Sequence, residues 1–84
     1  MLESDLSDAF AAVLRRRREA KGFSKAALAE RAGLHQTYIG MLESGKSSPT
    51  LDSANLLAKA LDVTLETMIA EAQMVGRKAK QKRA

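Results

Sequence analysis

The stretch ALAERAGLHQTYIGMLESGK, residues 27–46, decides how this chain folds. Apolar residues recur at helical spacing on both sides of Gly33. A glycine directly after an apolar helical segment is the usual residue for the left-handed position that ends a helix. We therefore predict one helix from Lys25 to about Ala32, a turn at Gly33 and a second helix from Gln36 to about Ser44.

Three positions predict that these two helices cross steeply and pack together. Ala29 is small enough for a close crossing, Gly33 supplies the left-handed turn, and Ile39 can then pack back against Ala29. The surrounding apolar positions are Leu28, Ala32, Leu34 and Leu42. This spacing is typical of a helix-turn-helix, with Ala29, Gly33 and Ile39 as its structural residues.

The second of these helices has an unusual polar face, made of Gln36, Thr37, Gly40, Met41 and Ser44. A solvated helix face is usually filled with Lys, Glu and Arg, and a helical glycine costs about 1 kcal/mol relative to alanine. Short amide and hydroxyl side chains near a helix N-terminus suit base edges in the major groove, and a glycine leaves room for the groove. The face predicts DNA recognition; the alternative is an ordinary surface helix with an incidental glycine.

The whole chain predicts an all-α domain of five helices, because it has one proline, 4% aromatic residues and no alternating apolar pattern. The first helix is predicted from Asp8 to Lys21, capped by Ser7, and the fourth runs from Leu51 to about Leu61. The fifth begins after Thr64. We predict an N-terminal arm over 1–7, a domain over 8–75 and a flexible basic tail over 76–84.

Composition limits the possible functions. With 84 residues the core is small, which favours a dimer. There is no cysteine, no signal peptide and no apolar run long enough to span a bilayer, so we expect a soluble cytoplasmic protein without disulfides or membrane contact. The single histidine, His35, and scattered carboxylates predict no enzyme, no metal site and no cofactor.

The charge is unevenly distributed along the chain. Residues 77–84, RKAKQKRA, hold five of the fourteen Lys and Arg, and without them the formal net charge falls from +4 to −1. A surface for a polyanion on the folded part must therefore be local. Residues 15–21, with Lys25, are one candidate, and a solvated helix face is the alternative. The tail either contacts phosphate nonspecifically or keeps the protein soluble.

Residues 23–63 resemble the Xre, Cro and lambda-repressor family of helix-turn-helix transcriptional regulators of bacteria and phages. The motifs that carry this resemblance are Leu14, Arg15 and Arg18 before Gly22; L-A-x-x-x-G at Leu28, Ala29 and Gly33; E-x-G-x-x-x-P at Glu43, Gly45 and Pro49; and L-A-x-A-L at Leu57, Ala58, Ala60 and Leu61. The resemblance covers about residues 9–70. It implies a compact lambda-repressor-like domain similar to small restriction-modification controllers or phage repressors.

The resemblance also implies residue roles. Arg18 matches the family arginine that pairs with Glu43 and joins the first helix to the end of the third. Gln36 and Thr37 match base-facing positions, with Gly40, Met41 and Ser44 further along the face. Lys25 stands where the family usually has glutamine, and lysine keeps the phosphate contact.

Four further residues complete the predicted DNA contacts. The Tyr38 hydroxyl can reach a phosphate, with core packing as the alternative, and His35 lies in the turn near the DNA backbone. Lys46 and Ser47 are expected to bind phosphate through backbone amides.

Leu56 lies outside the apolar stripe of its helix, and the fifth helix carries more apolar residues than one small domain needs to cover. We therefore predict a two-fold dimer through Leu56, Met68, Ala72 and Val75, which would set two recognition helices about 34 Å apart.

The prediction for function is a sequence-specific regulator, acting as a repressor or autoregulator at a pseudopalindromic duplex DNA operator, with no small-molecule effector evident. Two alternatives stay open at this point. One is a protein-interaction module of antitoxin or adaptor type, and the other is a nonspecific basic nucleic-acid binder.

Overall fold

A computed structural model describes the backbone of residues 5–83 and the side chains of residues 6–76. Within this part the chain is all-α, as predicted, with no strand. The five helices are α1 Asp5–Ala20, α2 Lys25–Ala32, α3 Gln36–Glu43, α4 Leu51–Ala60 and α5 Leu65–Arg83. None of them is long and apolar enough to cross a bilayer.

All five helices contribute to one hydrophobic core. α1 and α5 run antiparallel, since Lys21 at the end of α1 binds Asp62 just before α5 and Arg17 binds Glu71 further along it. The largest fully buried side chains are Val13, Leu14, Leu28, Ile39, Leu42, Leu57, Leu61 and Met68. Burial of each such side chain stabilises the fold by about 1.5–3 kcal/mol. The core is small, and every helix contributes side chains to it.

The first four helices end in the same backbone motif. At α4, for example, Asp62 N–H donates to Lys59 O over 3.0 Å and Val63 N–H to Ala58 O over 3.0 Å. This pair of hydrogen bonds is the Schellman motif, which requires a left-handed residue. Glycine takes that position after α1, α2 and α3, whereas Asp62 takes it after α4 with φ of 62°. Aspartate tolerates this conformation better than most residues because its short side chain bonds locally.

The first helix begins earlier than the sequence predicts. α1 starts at Asp5, so Ser7 lies inside the helix and does not cap it. The acidic side chains of the first turns favour a helix N-terminus through the dipole, which removes the need for a serine cap at position 7. Residues 5–7 of the predicted arm therefore belong to α1, and its residues 1–4 lie outside the described residues.

The last helix continues further than the sequence predicts. α5 passes through Gly76 and runs to Arg83, although we predict a helix end at this glycine. An interior glycine costs only about 1 kcal/mol, and the Lys, Arg, Ala and Gln residues that follow are strong helix formers. Cations near the end of the helix also favour its dipole. The predicted tail is therefore helical over 77–83.

The helical spacing of α4 predicts an apolar stripe of Leu51, Ala54, Leu57, Ala58 and Leu61, and Leu51 is the one member that the core does not cover. It is 79% exposed, whereas Ala54, Leu57, Ala58 and Leu61 are buried. Thr50 and Ser53 form a capping box at this end of the helix. Leu51 is therefore the first residue of α4, and the helix reaches the core only from Ser53 onwards.

Candidate nucleic-acid interface

α2 and α3 form a helix-turn-helix. Ala29 is 4% exposed, Ile39 is fully buried, and Gly33 between the helices has φ of 72°. Gly33 N–H donates to Glu30 O over 3.3 Å, and Leu34 N–H donates to Ala29 O over 2.9 Å. These bonds end α2 sharply, so that α3 crosses it and Ile39 enters the core.

Arg18 and Glu43 connect α1 to the end of α3. Arg18 Nε donates to Glu43 Oε2 over 2.7 Å, and Nη2 donates to Oε1 over 3.0 Å. Nη1 donates to the carbonyl of Phe23 over 2.8 Å. The hydrogen bond to Glu43 raises the pKa of Arg18, and the nearby negative charge adds to this effect. With Arg18 only 8% exposed, the pair is shielded and fixes the direction of α3.

The opposite face of α3 is open. Its exposed side chains are Gln36, Thr37, Met41 and Ser44. Among the described residues, the side chains of Gln36 and Thr37 form no hydrogen bond, while Ser44 Oγ donates to Met41 O over 3.2 Å. The first turn of α3 thus presents free polar groups beside a nearly uncharged surface.

Gly40 lies in the middle of this face without any internal reason to be glycine. Its φ is not positive, and a Cβ added there would meet nothing within 4 Å. Alanine would therefore fit the folded chain and would favour the helix by about 1 kcal/mol. A glycine that the fold does not need points to something outside the chain that approaches this surface.

Tyr38 packs against the core and is half buried. Its hydroxyl lies 2.9 Å from Ser53 Oγ, which belongs to the capping box of α4. Of the two roles that the sequence leaves open for Tyr38, core packing is the one in place here. The hydroxyl braces α3 against α4.

In the loop after α3, the backbone amides of Lys46 and Ser47, which are expected to bind phosphate, already donate hydrogen bonds within the chain. Lys46 N–H donates to Met41 O over 2.9 Å, and Ser47 N–H donates to the same oxygen over 3.2 Å. Both N–H groups are therefore used within the turn at Gly45, and they could bind phosphate only if these hydrogen bonds broke. The Lys46 side chain is exposed and remains the part of this loop that could do so.

His35 and Lys25 lie at the N-termini of α3 and α2. His35 is the exposed N-cap residue of α3, and its side chain makes no capping hydrogen bond. Lys25 is exposed at the first position of α2, where Ser24 Oγ accepts from Ala27 N–H over 3.0 Å. Among the described residues, no group of three or more His, Cys, Asp or Glu is placed to hold a metal ion.

The basic segment over residues 15–21 is largely neutralised by carboxylates. Its ion pairs are Arg15 with Glu19, Arg16 and Arg17 with Glu71, Arg18 with Glu43, and Lys21 with Asp62. The segment is therefore a set of links between helices more than a free cationic patch. Its partners are up to 54 residues away in the chain, so spacing in the sequence offered no signal for them.

The Arg17–Glu71 pair joins α1 to α5, and the sequence does not predict it. Arg17 Nε donates to Glu71 Oε1 over 2.9 Å, and Nη2 donates to Oε2. The hydrogen bond from Arg17 lowers the pKa of Glu71, against the opposing effect of burial. The same bond raises the pKa of Arg17.

The residues predicted for a dimer interface separate into two groups. Met68 and Ala72 are fully buried in the core of a single chain, so the prediction for these two is wrong: they have no surface left for a second chain. Leu56 is 41% exposed and Val75 is half buried. A shallow apolar groove on α5 is lined by Leu65, Glu66, Ile69, Ala70 and Gln73.

Comparisons with known proteins agree with this geometry. The helix-turn-helix family model matches residues 14–68. The control protein C.SmaI of Serratia marcescens is 35% identical over 65 residues, 77% of each chain. The restriction-modification controller C.AhdI from Aeromonas hydrophila has a TM-score of 0.71 at 35% identity, covering 74% of this chain and 94% of its own. The clp gene regulator ClgR from Corynebacterium glutamicum has a TM-score of 0.85 at 26% identity, covering 93% and 84%.

The matched residues include α2, the turn at Gly33, α3 and the Arg18–Glu43 pair. The resemblance inferred from the motifs is confirmed. This chain belongs to the helix-turn-helix family of DNA-binding transcriptional regulators.

Proposed function

We propose that this protein binds a pseudopalindromic operator as a dimer and regulates transcription by occupying it, with α3 in the major groove. The observation that carries the proposal is the exposed face of α3. It is polar but uncharged, its first turn has free amide and hydroxyl groups, and Gly40 has no internal partner that excludes a side chain. A groove that approaches closely explains all three features.

Base contacts come from the start of α3. The Gln36 amide suits N6 and N7 of adenine, and the Thr37 methyl group suits the methyl group of thymine. Gly40, Met41 and Ser44 lie further along the same face, where apolar and hydroxyl contacts to base edges or sugars complete the surface.

Phosphate contacts surround this face. The exposed His35 and Lys46 lie at the two ends of α3, Lys25 is exposed at the start of α2, and Ser47 lies beside Lys46. Tyr38 contributes by fixing α3 on α4 through Ser53 rather than by a free hydroxyl. Such contacts set the register of the protein on the duplex, while the base contacts select the sequence.

The dimer forms through the exposed apolar surface of α4 and α5. Leu56 and Val75 remain from the predicted interface, and Leu65 and Ile69 replace the buried Met68 and Ala72. A two-fold axis there gives two recognition helices one DNA turn apart, about 34 Å. The relatives named as control proteins of restriction-modification systems favour a controller-type regulator, acting in the cytoplasm without catalysis.

Two variants that each introduce a negative charge test the dimer. Leu56→Glu places a carboxylate on the proposed interface, whereas Leu51→Glu places one on an exposed leucine at the first position of the same helix. Sedimentation velocity should show monomers for the first variant and dimers for the second. Dimers with both variants would place the interface elsewhere.

Selection from a random duplex library tests the function itself. Purified protein at about 0.15 M salt, the physiological ionic strength, should enrich an inverted repeat with half-sites about 10 base pairs apart. Retention of DNA without an enriched motif would indicate a nonspecific binder. No retention would favour a protein-interaction module.

A further inference from the structure

Gly40 leaves an open space in the middle of the exposed face of α3. In a helix the side-chain neighbours of a residue lie three and four positions away, which here are Gln36, Thr37, Glu43 and Ser44. None of their side chains lies within 4 Å of the position that a Cβ on Gly40 would take. The space is therefore at least as large as a methyl group, because a Cβ placed in it would touch nothing.

The two neighbours on the C-terminal side of Gly40 are engaged in hydrogen bonds of their own. The carboxylate oxygens of Glu43 accept from Arg18 over 2.7 and 3.0 Å. Ser44 Oγ donates to the carbonyl of Met41 over 3.2 Å. Neither neighbour therefore places a free charge or an unused donor beside Gly40.

The surface that encloses this space is largely apolar. The Gly40 carbonyl already accepts from Ser44 N–H over 3.0 Å. Helical spacing places Thr37 and Met41 on the same side of α3 as Gly40. Thr37 carries a methyl group next to its hydroxyl, and the thioether side chain of Met41 is 38% exposed. We call the surface formed by Thr37, Gly40 and Met41 the Gly40 niche, and its composition suits an apolar group better than a polar one.

Duplex DNA presents one apolar group of this size in the major groove, the methyl group on C5 of thymine. A methyl group on C5 of cytosine projects from the same ring position. The other groups that distinguish the base pairs in this groove are hydrogen-bond donors or acceptors. An apolar space the size of a methyl group, in the middle of a DNA-reading face, therefore matches a C5 methyl group.

We propose that the Gly40 niche receives the C5 methyl group of a pyrimidine in each operator half-site, which makes Gly40 a specificity-determining residue. This inference rests on the proposed function for the placement of α3 in the major groove, and it names the chemical group that this face reads. The protein then distinguishes bases that differ by one methyl group. Loss of that contact lowers affinity about fourfold for one half-site and about 15-fold for two.

The test combines a methyl group removed from the DNA with one added to the protein. Uracil replaces thymine at each position of the selected operator in turn, in both half-sites together. The affinities of the parent and of Gly40→Ala are measured by fluorescence anisotropy. At one position in each half-site, uracil should weaken binding of the parent by about 15-fold.

The two changes should compensate each other at that position. Gly40→Ala should bind the thymine operator about fivefold more weakly than the parent, or weaker still. It should bind the uracil operator within about threefold of the parent, because its Cβ takes the place of the missing methyl group and groups in contact are not additive. Gly76→Ala adds the same methyl group to α5 and should keep the full preference of the parent for thymine.

A second pair of operators identifies the source of the methyl group. Cytosine and 5-methylcytosine, each opposite guanine, are placed at the position where the two changes compensate. A preference of the parent for 5-methylcytosine that Gly40→Ala lacks would show that the niche reads cytosine methylation as well. Equal binding of these two operators would assign the niche to thymine alone.

Failure of this inference can be separated from failure of the proposed function. If Gly40→Ala loses the same factor on thymine and uracil operators at every position, the niche is overturned while the operator and the proposed function stand. If selection finds no operator, the proposed function fails and the niche fails with it. Circular dichroism of Gly40→Ala checks that the variant keeps its helices, so that a loss of binding is not a loss of folding.

Discussion

Replacement of Gly40 by alanine is expected to change the stability of the fold and the affinity for DNA in opposite directions. The new methyl group would meet no atom within 4 Å, so it fits the free protein without strain. Alanine in a helix interior is favoured over glycine by about 1 kcal/mol. We expect the free energy of unfolding to rise by about 0.5–1 kcal/mol, and the melting temperature to rise by about 2–8 °C for a domain of this size.

The same methyl group should weaken operator binding. If the groove closes onto Gly40, the added carbon overlaps DNA and forces a shift that costs about 1–3 kcal/mol. That corresponds to a loss of about 5- to 150-fold in affinity, since 1.4 kcal/mol is a factor of ten. Stability is followed by helical circular dichroism in urea, and affinity by fluorescence anisotropy with the selected operator.

Gly76→Ala is the matched control for this prediction. Gly76 is also helical and also has nothing within 4 Å of an added Cβ, but it lies in α5. It should stabilise the protein to a similar extent and leave operator affinity unchanged. If Gly40→Ala were stabilised and bound the operator as tightly as the parent, the glycine would be incidental and the argument from the α3 face would fail.

Substitutions at three further positions test the links between helices. Arg18→Leu leaves the shielded carboxylate of Glu43 without its partner. Because an unpaired buried charge is costly, urea unfolding should show a loss of stability of about 3 kcal/mol or more. A loss below about 1 kcal/mol would mean that the pair is solvated. Asp62→Gly and Asp62→Ala both lose the ion pair with Lys21. The glycine variant should melt about 4 °C higher than the alanine variant, because only alanine is strained at positive φ. Equal melting temperatures of the two variants would contradict this account of the turn. Glu71 has a lowered pKa in the folded state, so its pair with Arg17 stabilises the protein above the unfolded pKa and that contribution is lost as pH falls through the folded value. The parent should therefore lose more stability than Glu71→Gln between about pH 5 and pH 3, and parallel curves would refute the coupling.

Local structure follows from the sequence because its causes are local. Ser24 and Thr50 cap helices with hydrogen bonds to residues three positions on, and Gly33 ends α2 through its own conformation. These interactions depend on neighbours within one helical turn, so the chain order is enough to predict them. The helix-turn-helix and most of the motifs that carry the family resemblance therefore follow from residues 23–63.

The exposed face of α3 is predictable for the same reason. The sequence shows a glycine at position 40 inside a stretch with helical spacing, where no turn is expected. The same spacing places Gln36 and Thr37 on the side of the helix that carries Gly40. The structure adds that no internal contact demands the glycine. Only with that fact does the face become an argument about an external partner.

Tertiary structure alone decides which apolar stripe covers which surface. The spacing of Met68 and Ala72 is the same whether α5 packs on its own chain or on a second one, and only the antiparallel contact with α1 shows that they are buried within one chain. The Arg17–Glu71 pair and the occupied amides of Lys46 and Ser47 likewise depend on groups that packing brings together. Local periodicity determines the faces of a helix, but the choice of partner for each face is a competition among all the surfaces of the folded chain, which no single segment contains.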